Sequence, residues 1–243
     1  MEEDIMKTKM NAETYSKDMA EWLAKWKAYS ANKNQGTPFI SDGVMDPDVW
    51  FSLNERVLFV MKEAYGGTED WDLAKDHVLT KGPAKRIWKR VSQWEKAIFE
   101  SAFNPEFDPD DPELARFGNE YLHRIAVINL KKYNGKKSSD RNEIMEYANR
   151  EKKFIQQQIE LCDPTVIVCC STAYALDQVM NFGIAEQYNP NRYYHLSLND
   201  HDVTVLDFYH PSNQFPAVMN YYSLRELFKV AVYHQRKRIM PEW

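Results

Sequence analysis

The chain is poor in cysteine. Only Cys162, Cys169 and Cys170 occur in 243 residues. An odd, sparse set excludes a disulfide framework and points to a reducing compartment. It also excludes a zinc or iron–sulfur centre built from cysteine alone, which takes four thiolates. No apolar stretch approaches the ~20 residues of a membrane span. The opening MEEDIMKTKM is acidic and lacks the apolar centre of a signal peptide. A cytoplasmic protein with no membrane partner is therefore expected. Positive charge is not in excess: 31 Lys and Arg face 36 Asp and Glu, for a net charge of -5. That argues against a protein coated with nucleic acid, while a local basic face stays open. There is no internal repeat and no low-complexity tract.

What remains is an ordinary globular composition, 44% hydrophobic, with length for one large α/β domain. Aromatic residues reach 14%. Packing explains most of them, and stacking on bases or sugars is the sharper use. Tyr15, Met19, Trp22, Leu23, Trp26 and Tyr29 recur at helical spacing and predict a helix over 12–32. Asp46 and Pro47 read as the cap and first turn of a short helix. Further helices are predicted over 84–103 (burying Ile87, Val91, Trp94, Ile98 and Phe99), 113–123, 140–161, 172–182 behind a Ser171 cap, and 216–236. Strands are predicted at 57–61, 125–129 and 165–170. A hairpin pairs 193–197 with 203–208 around residues 199–202. Cys169 and Cys170 would then point to opposite faces as small core residues.

Apolar strands separated by long helices point to a three-layer α/β/α sandwich. Its central sheet would be four-stranded and mostly parallel, with 193–197 as an antiparallel edge. Residues 1–50 read as a helical extension packed on a single unit, 51–243. Right-handed crossovers bring the carboxyl ends of parallel strands to one rim, the edge where such sheets bind ligands. Three strand ends carry chemistry there. VLFVMKEAY ends in Lys62, Glu63 and Tyr65. AVINL carries Asn129. VLDFYHPSN ends in His210, Pro211 and Ser212.

This ordered set resembles the uracil-DNA glycosylase superfamily over roughly 55–230. Met61-Lys62-Glu63-Ala64-Tyr65 stands where that family has G-Q-D-P-Y, Asn129 where it has a strand-end Asn, and His210-Pro211-Ser212 where it has H-P-S. The departures are Met61 for Gly, Lys62 for Gln, Glu63 for Asp and Ala64 for Pro. The resemblance implies a DNA glycosylase that hydrolyses the N-glycosidic bond of a flipped, deaminated base, without cofactor or metal. It implies that Glu63 stabilises the sugar cation or positions water, and that His210 hydrogen-bonds the leaving base. Asn129, Tyr65 and Lys62 would contact the base. Ser212, Asn213, Phe215, Lys131 and Lys132 would form the DNA-contacting loops, with Phe215 as a wedge. The partner would be DNA, single-stranded or a damaged duplex, or a free nucleotide, and the protein a monomer. A second basic stretch holds Lys81, Lys85, Arg86, Lys89 and Arg90, which more often marks a solvated helix face. Two other readings share these residues: a non-catalytic nucleic-acid or nucleotide-binding module on the same fold, and an α/β enzyme acting on a small nucleotide or sugar.

Overall fold

The computed structural model describes residues 10–81, 86–114, 116, 118–136, 138–184 and 189–239. Lys85, singled out in the basic stretch, lies outside them. Helix α1 (Ala12–Ser30) starts at Asn11, whose side chain accepts from the Thr14 amide at 3.0 Å. It buries Tyr15, Met19 and Trp26, while Tyr29 stays half-exposed. Two short strands follow, β1 (Ile40–Ser41) and β2 (Gly43–Val44). Helix α2 (Pro47–Trp50) is capped by Asp46, as its sequence predicts. Strand β3 (Val57–Glu63) runs two residues past its apolar core. After it come β4 (Trp71–Asp72), a π-helical turn Ala74–Val78, α3 (Leu79–Lys81) and α4 (Arg86–Phe99).

Among the described residues of the expected 113–123 helix only Glu120–His123 is helical (α5), with Asn119 capping it late by accepting from the Leu122 amide. Strand β5 (Ile125–Lys131) is buried along its length. The expected 140–161 helix divides into α6 (Arg141–Arg150) and α7 (Lys152–Cys162). At the break, Glu151 leaves helical geometry and is buried, accepting from Trp26 Nε1 and from Arg150. Strand β6 (Val166–Cys170) precedes α8 (Ala173–Met180). Ser171 does not cap α8. It adopts φ 58° and spends its hydroxyl on the His210 amide. The hairpin is β7 (Tyr193–Leu198) and β8 (His201–Phe208). Its turn residues Asn199 and Asp200 both take positive φ, as a tight two-residue hairpin requires. Helix α9 (Ala217–Ile239) closes the described chain.

The main sheet has the order β2-β5-β3-β6-β8-β7. Its four central strands are parallel and both edges are antiparallel. The expected parallel centre and antiparallel β7 are present. The second antiparallel edge, β2, comes from the segment assigned to an extension, so residues 1–50 contribute to the sheet itself. Period-two alternation divides the core. Leu58, Val60, Ile128, Ile167 and Cys169 pack with α1, α7 and α8. Val57, Phe59, Met61, Val127, Val168 and Cys170 pack with α4 and α9. Helices thus cover both faces, which is compatible with an α/β/α layout. Phe99 was expected in that core but is 38% exposed, with the Arg124 guanidinium 4.0 Å above its ring. No helix among the described residues is long and apolar enough to cross a membrane.

Candidate functional site

Parallel pairing puts the ends of β3, β5, β6 and β8 at one edge. Met61 pairs with Asn129, and Glu63 with Lys131. A cavity of about 460 Å³ opens there, within the range of small-ligand sites. Glu63, Asn129, His210 and Ser212 supply polar groups to it, and Tyr65, Trp71 and Trp88 supply aromatic wall. Polar residues separated by as many as 149 positions in the chain, Glu63 and Ser212, therefore share one hollow.

Glu63 enters the wall as a paired carboxylate. Its side chain is 1% exposed, and its Oε2 accepts from Lys131 Nζ at 2.9 Å. The Lys136 amide lies 3.4 Å from Oε1. Gly135 stacks so closely on the carboxyl group that no Cβ could fit. Lys131 also binds Glu143 at 2.6 Å, and Lys136 binds Glu143 at 3.1 Å. Two lysines and two carboxylates thus form a balanced network beside the cavity.

His210 is held by its own loop. Its Nδ1 accepts the Ser212 amide at 3.2 Å and lies 2.7 Å from the Ser212 hydroxyl. A neutral ring that accepts at Nδ1 carries its proton on Nε2. Burial, reinforced by the nearby Lys62 ammonium, pushes the imidazole down to about 4. The ring is neutral at physiological pH and offers one donor.

Asn129 is almost fully buried. Its side-chain Nδ2 donates to Asp42 Oδ2 at 3.1 Å, and its backbone N–H donates to the same oxygen at 2.8 Å. Asp42 has no signal in the sequence. Arg90 was also missed as a site residue. Its guanidinium donates to the carbonyls of Pro211, Asn213 and Phe215 at 3.0, 2.8 and 3.2 Å, which pins the loop carrying His210.

Several expected contacts lie elsewhere. Strand alternation sends Lys62 to the opposite face from Glu63. There it lines a second hollow of about 360 Å³ with Arg141, Ser171, Tyr174, Arg192 and Tyr209. Lys62 is therefore not a wall of the rim cavity. Lys131 and Lys132 do not present free ammonium groups at the surface either. The Lys131 side chain is 5% exposed and ion-paired, and that of Lys132 is fully buried against Asp42. Asn213 donates to the His210 carbonyl at 2.9 Å and to Asn220 at 3.0 Å, so it builds the loop. Phe215 is 47% exposed and meets Tyr209 edge-on at 5.0 Å. Lys62 and Arg141 have no carboxylate partner among the described residues, and Arg141 lies over the Tyr174 ring at 5.3 Å.

No protein-family model and no curated protein sequence matches the chain. The geometry must carry the functional reading. Among the described residues no cluster of three or more His, Cys, Asp or Glu could hold a metal ion.

Proposed function

We propose that the rim cavity receives a nucleobase extruded from DNA and that the protein hydrolyses its N-glycosidic bond. The observation that supports this most is the meeting of Glu63, Asn129 and His210 in one hollow. Breaking the bond leaves positive charge on the sugar and negative charge on the base. In this reading the Nε2–H of neutral His210 donates to a base carbonyl as it gains charge. The Asn129 amide reads the base edge, and Tyr65, Trp71 and Trp88 wall its faces. Glu63, ion-paired with Lys131, stabilises the sugar cation. Water adds its hydroxyl to the sugar carbon, and its proton leaves with the base.

The test uses purified protein with oligonucleotides carrying uracil or hypoxanthine. Formation of abasic product, abolished by His210→Gln and strongly slowed by Glu63→Gln, is the expected result. No abasic product from any deaminated base refutes catalysis. A second reading, binding without turnover, draws support from one feature: both Glu63 oxygens already have partners. It expects retention of base-modified or abasic oligonucleotides with no product, and the same assay separates the two.

A further inference from the structure

We propose that Asp42 is a positioning residue for this pocket, through which the N-terminal segment sets the edge of a ring the pocket accepts. The inference rests on the reading of the cavity as a nucleobase site. The Asp42 side chain is completely buried. Its Oδ2 accepts from both nitrogens of Asn129, at 2.8 and 3.1 Å. Its Oδ1 accepts from Gln158 Nε2 at 3.0 Å and from Lys132 Nζ.

An ionised carboxylate only accepts hydrogen bonds. The end of the Asn129 amide that faces Asp42 must therefore be the NH2 end. Turning the amide over would set oxygen against oxygen beside a fully buried carboxylate. Its carbonyl Oδ1 is thus the end left for the cavity that Asn129 lines. That oxygen accepts. It selects a ring that presents an N–H beside a carbonyl, and it leaves a ring nitrogen bearing a lone pair unpaired. His210 Nε2–H supplies the complementary donor for the carbonyl.

Asp42 is itself held by the N-terminal segment. Gly43, next in the chain, takes φ +149° with the Tyr15 hydroxyl where a Cβ would stand. That hydroxyl accepts the Val44 amide at 2.8 Å. Lys132, which balances the Asp42 charge, also donates to the Asn129 carbonyl at 2.9 Å and lies 5.0 Å from the Trp26 ring. Tyr15 and Trp26 both belong to α1. The helix outside the family resemblance reaches the pocket by this route.

The experiment is NMR on full-length protein labelled with 15N-asparagine, with the Asn129 side-chain signal identified by its loss in Asn129→Asp. In the wild type, one Asn129 amide proton is expected to exchange at least about tenfold more slowly than exposed asparagine amides. Free exchange there overturns the proposal without any further variant. Asp42→Leu, which removes the acceptor, is made together with Lys132→Met, so that no buried ammonium is left unbalanced. The pair is expected to abolish the protection, and unchanged protection overturns the proposal. Binding of uracil and of 3-methyluracil, which lacks the ring N–H, gives the second readout. The wild type is expected to prefer uracil about tenfold or more, and the paired variant to lose the preference. A preference kept in the variant overturns Asp42 as its cause. Binding of neither compound by the wild type refutes the base-pocket reading, while amide exchange still judges the hold of Asp42 on Asn129.

Discussion

Protonation of His210 is the most direct check on the site, because its donor role requires a neutral ring. An exposed histidine titrates near 6.5. Burial at the rim and the adjacent Lys62 push His210 down to about 4. A gap of that size corresponds to about 3 kcal/mol against protonation, trimmed to about 2 by solvent at the open rim. The sign follows from linkage. Between pH 6.5 and about 4 the unfolded chain binds a proton that the folded ring refuses, so this contribution to stability is complete above 6.5 and is lost as pH falls to about 4. The assay is a 1H–13C NMR titration of the six histidines, with His210 assigned by its disappearance in His210→Gln. A midpoint well below 5 is expected. Lys62→Met should raise it only in part, since burial is the larger cause. A midpoint near 6.5 would refute the neutral-donor argument. So would a turnover rate that falls as pH drops through 6.5, where the ring should not yet have changed state.

Glu95 on α4 is completely buried, and neither carboxylate oxygen has a hydrogen-bond partner among the described residues. Burial raises its pKa well above the usual carboxylate value, so its favourable contribution is complete at acid pH and is lost as pH rises past 4.5. Glu95→Leu is expected to stabilise the protein by about 1–3 kcal/mol at pH 8 and to gain nothing at pH 4, as read by urea unfolding at the two pH values. Lys131→Met strips Glu63 of its cation and should cost about 3–5 kcal/mol. Adding Glu63→Gln should recover most of that loss; if the losses simply add, the ion pair is not what holds this wall. Lys62→Ala and Arg141→Ala leave the rim cavity intact but remove cations from the second hollow. Each should lower the salt dependence of oligonucleotide binding by about one charge in a plot of log K against log salt. An unchanged slope would place nucleic acid off this face.

Hydropathy carried the architecture a long way. The apolar runs 57–61, 125–129 and 165–170 are consecutive strands of a parallel sheet, since strands buried on both faces must be apolar throughout. The left-handed pair Asn199–Asp200 made the hairpin readable, and Asp46–Pro47 the short helix. Local signals failed where tertiary demands outweighed them. Ser171 looks like a helix cap, yet its hydroxyl ties β6 to the His210 loop. The helical periodicity of 140–161 is continuous, yet Glu151 breaks it to reach Trp26. Strand β2, two residues long, is too short to leave a pattern.

At the site, residue type and strand-end position were enough to name Glu63, Asn129 and His210, because parallel strands joined by right-handed crossovers deliver their carboxyl ends to one rim. Sequence could not say which lysines face solvent. Lys62, Lys131 and Lys132 look alike as letters, and one lines a separate hollow while the other two are sealed in ion pairs. Nor could it find Asp42 or Arg90, whose partners lie 87 and more than 120 residues away. Charge and hydrogen bonding act through space at a few ångströms, so their assignments waited on packing, whereas the alternation of apolar residues acts along the chain and was legible from the start.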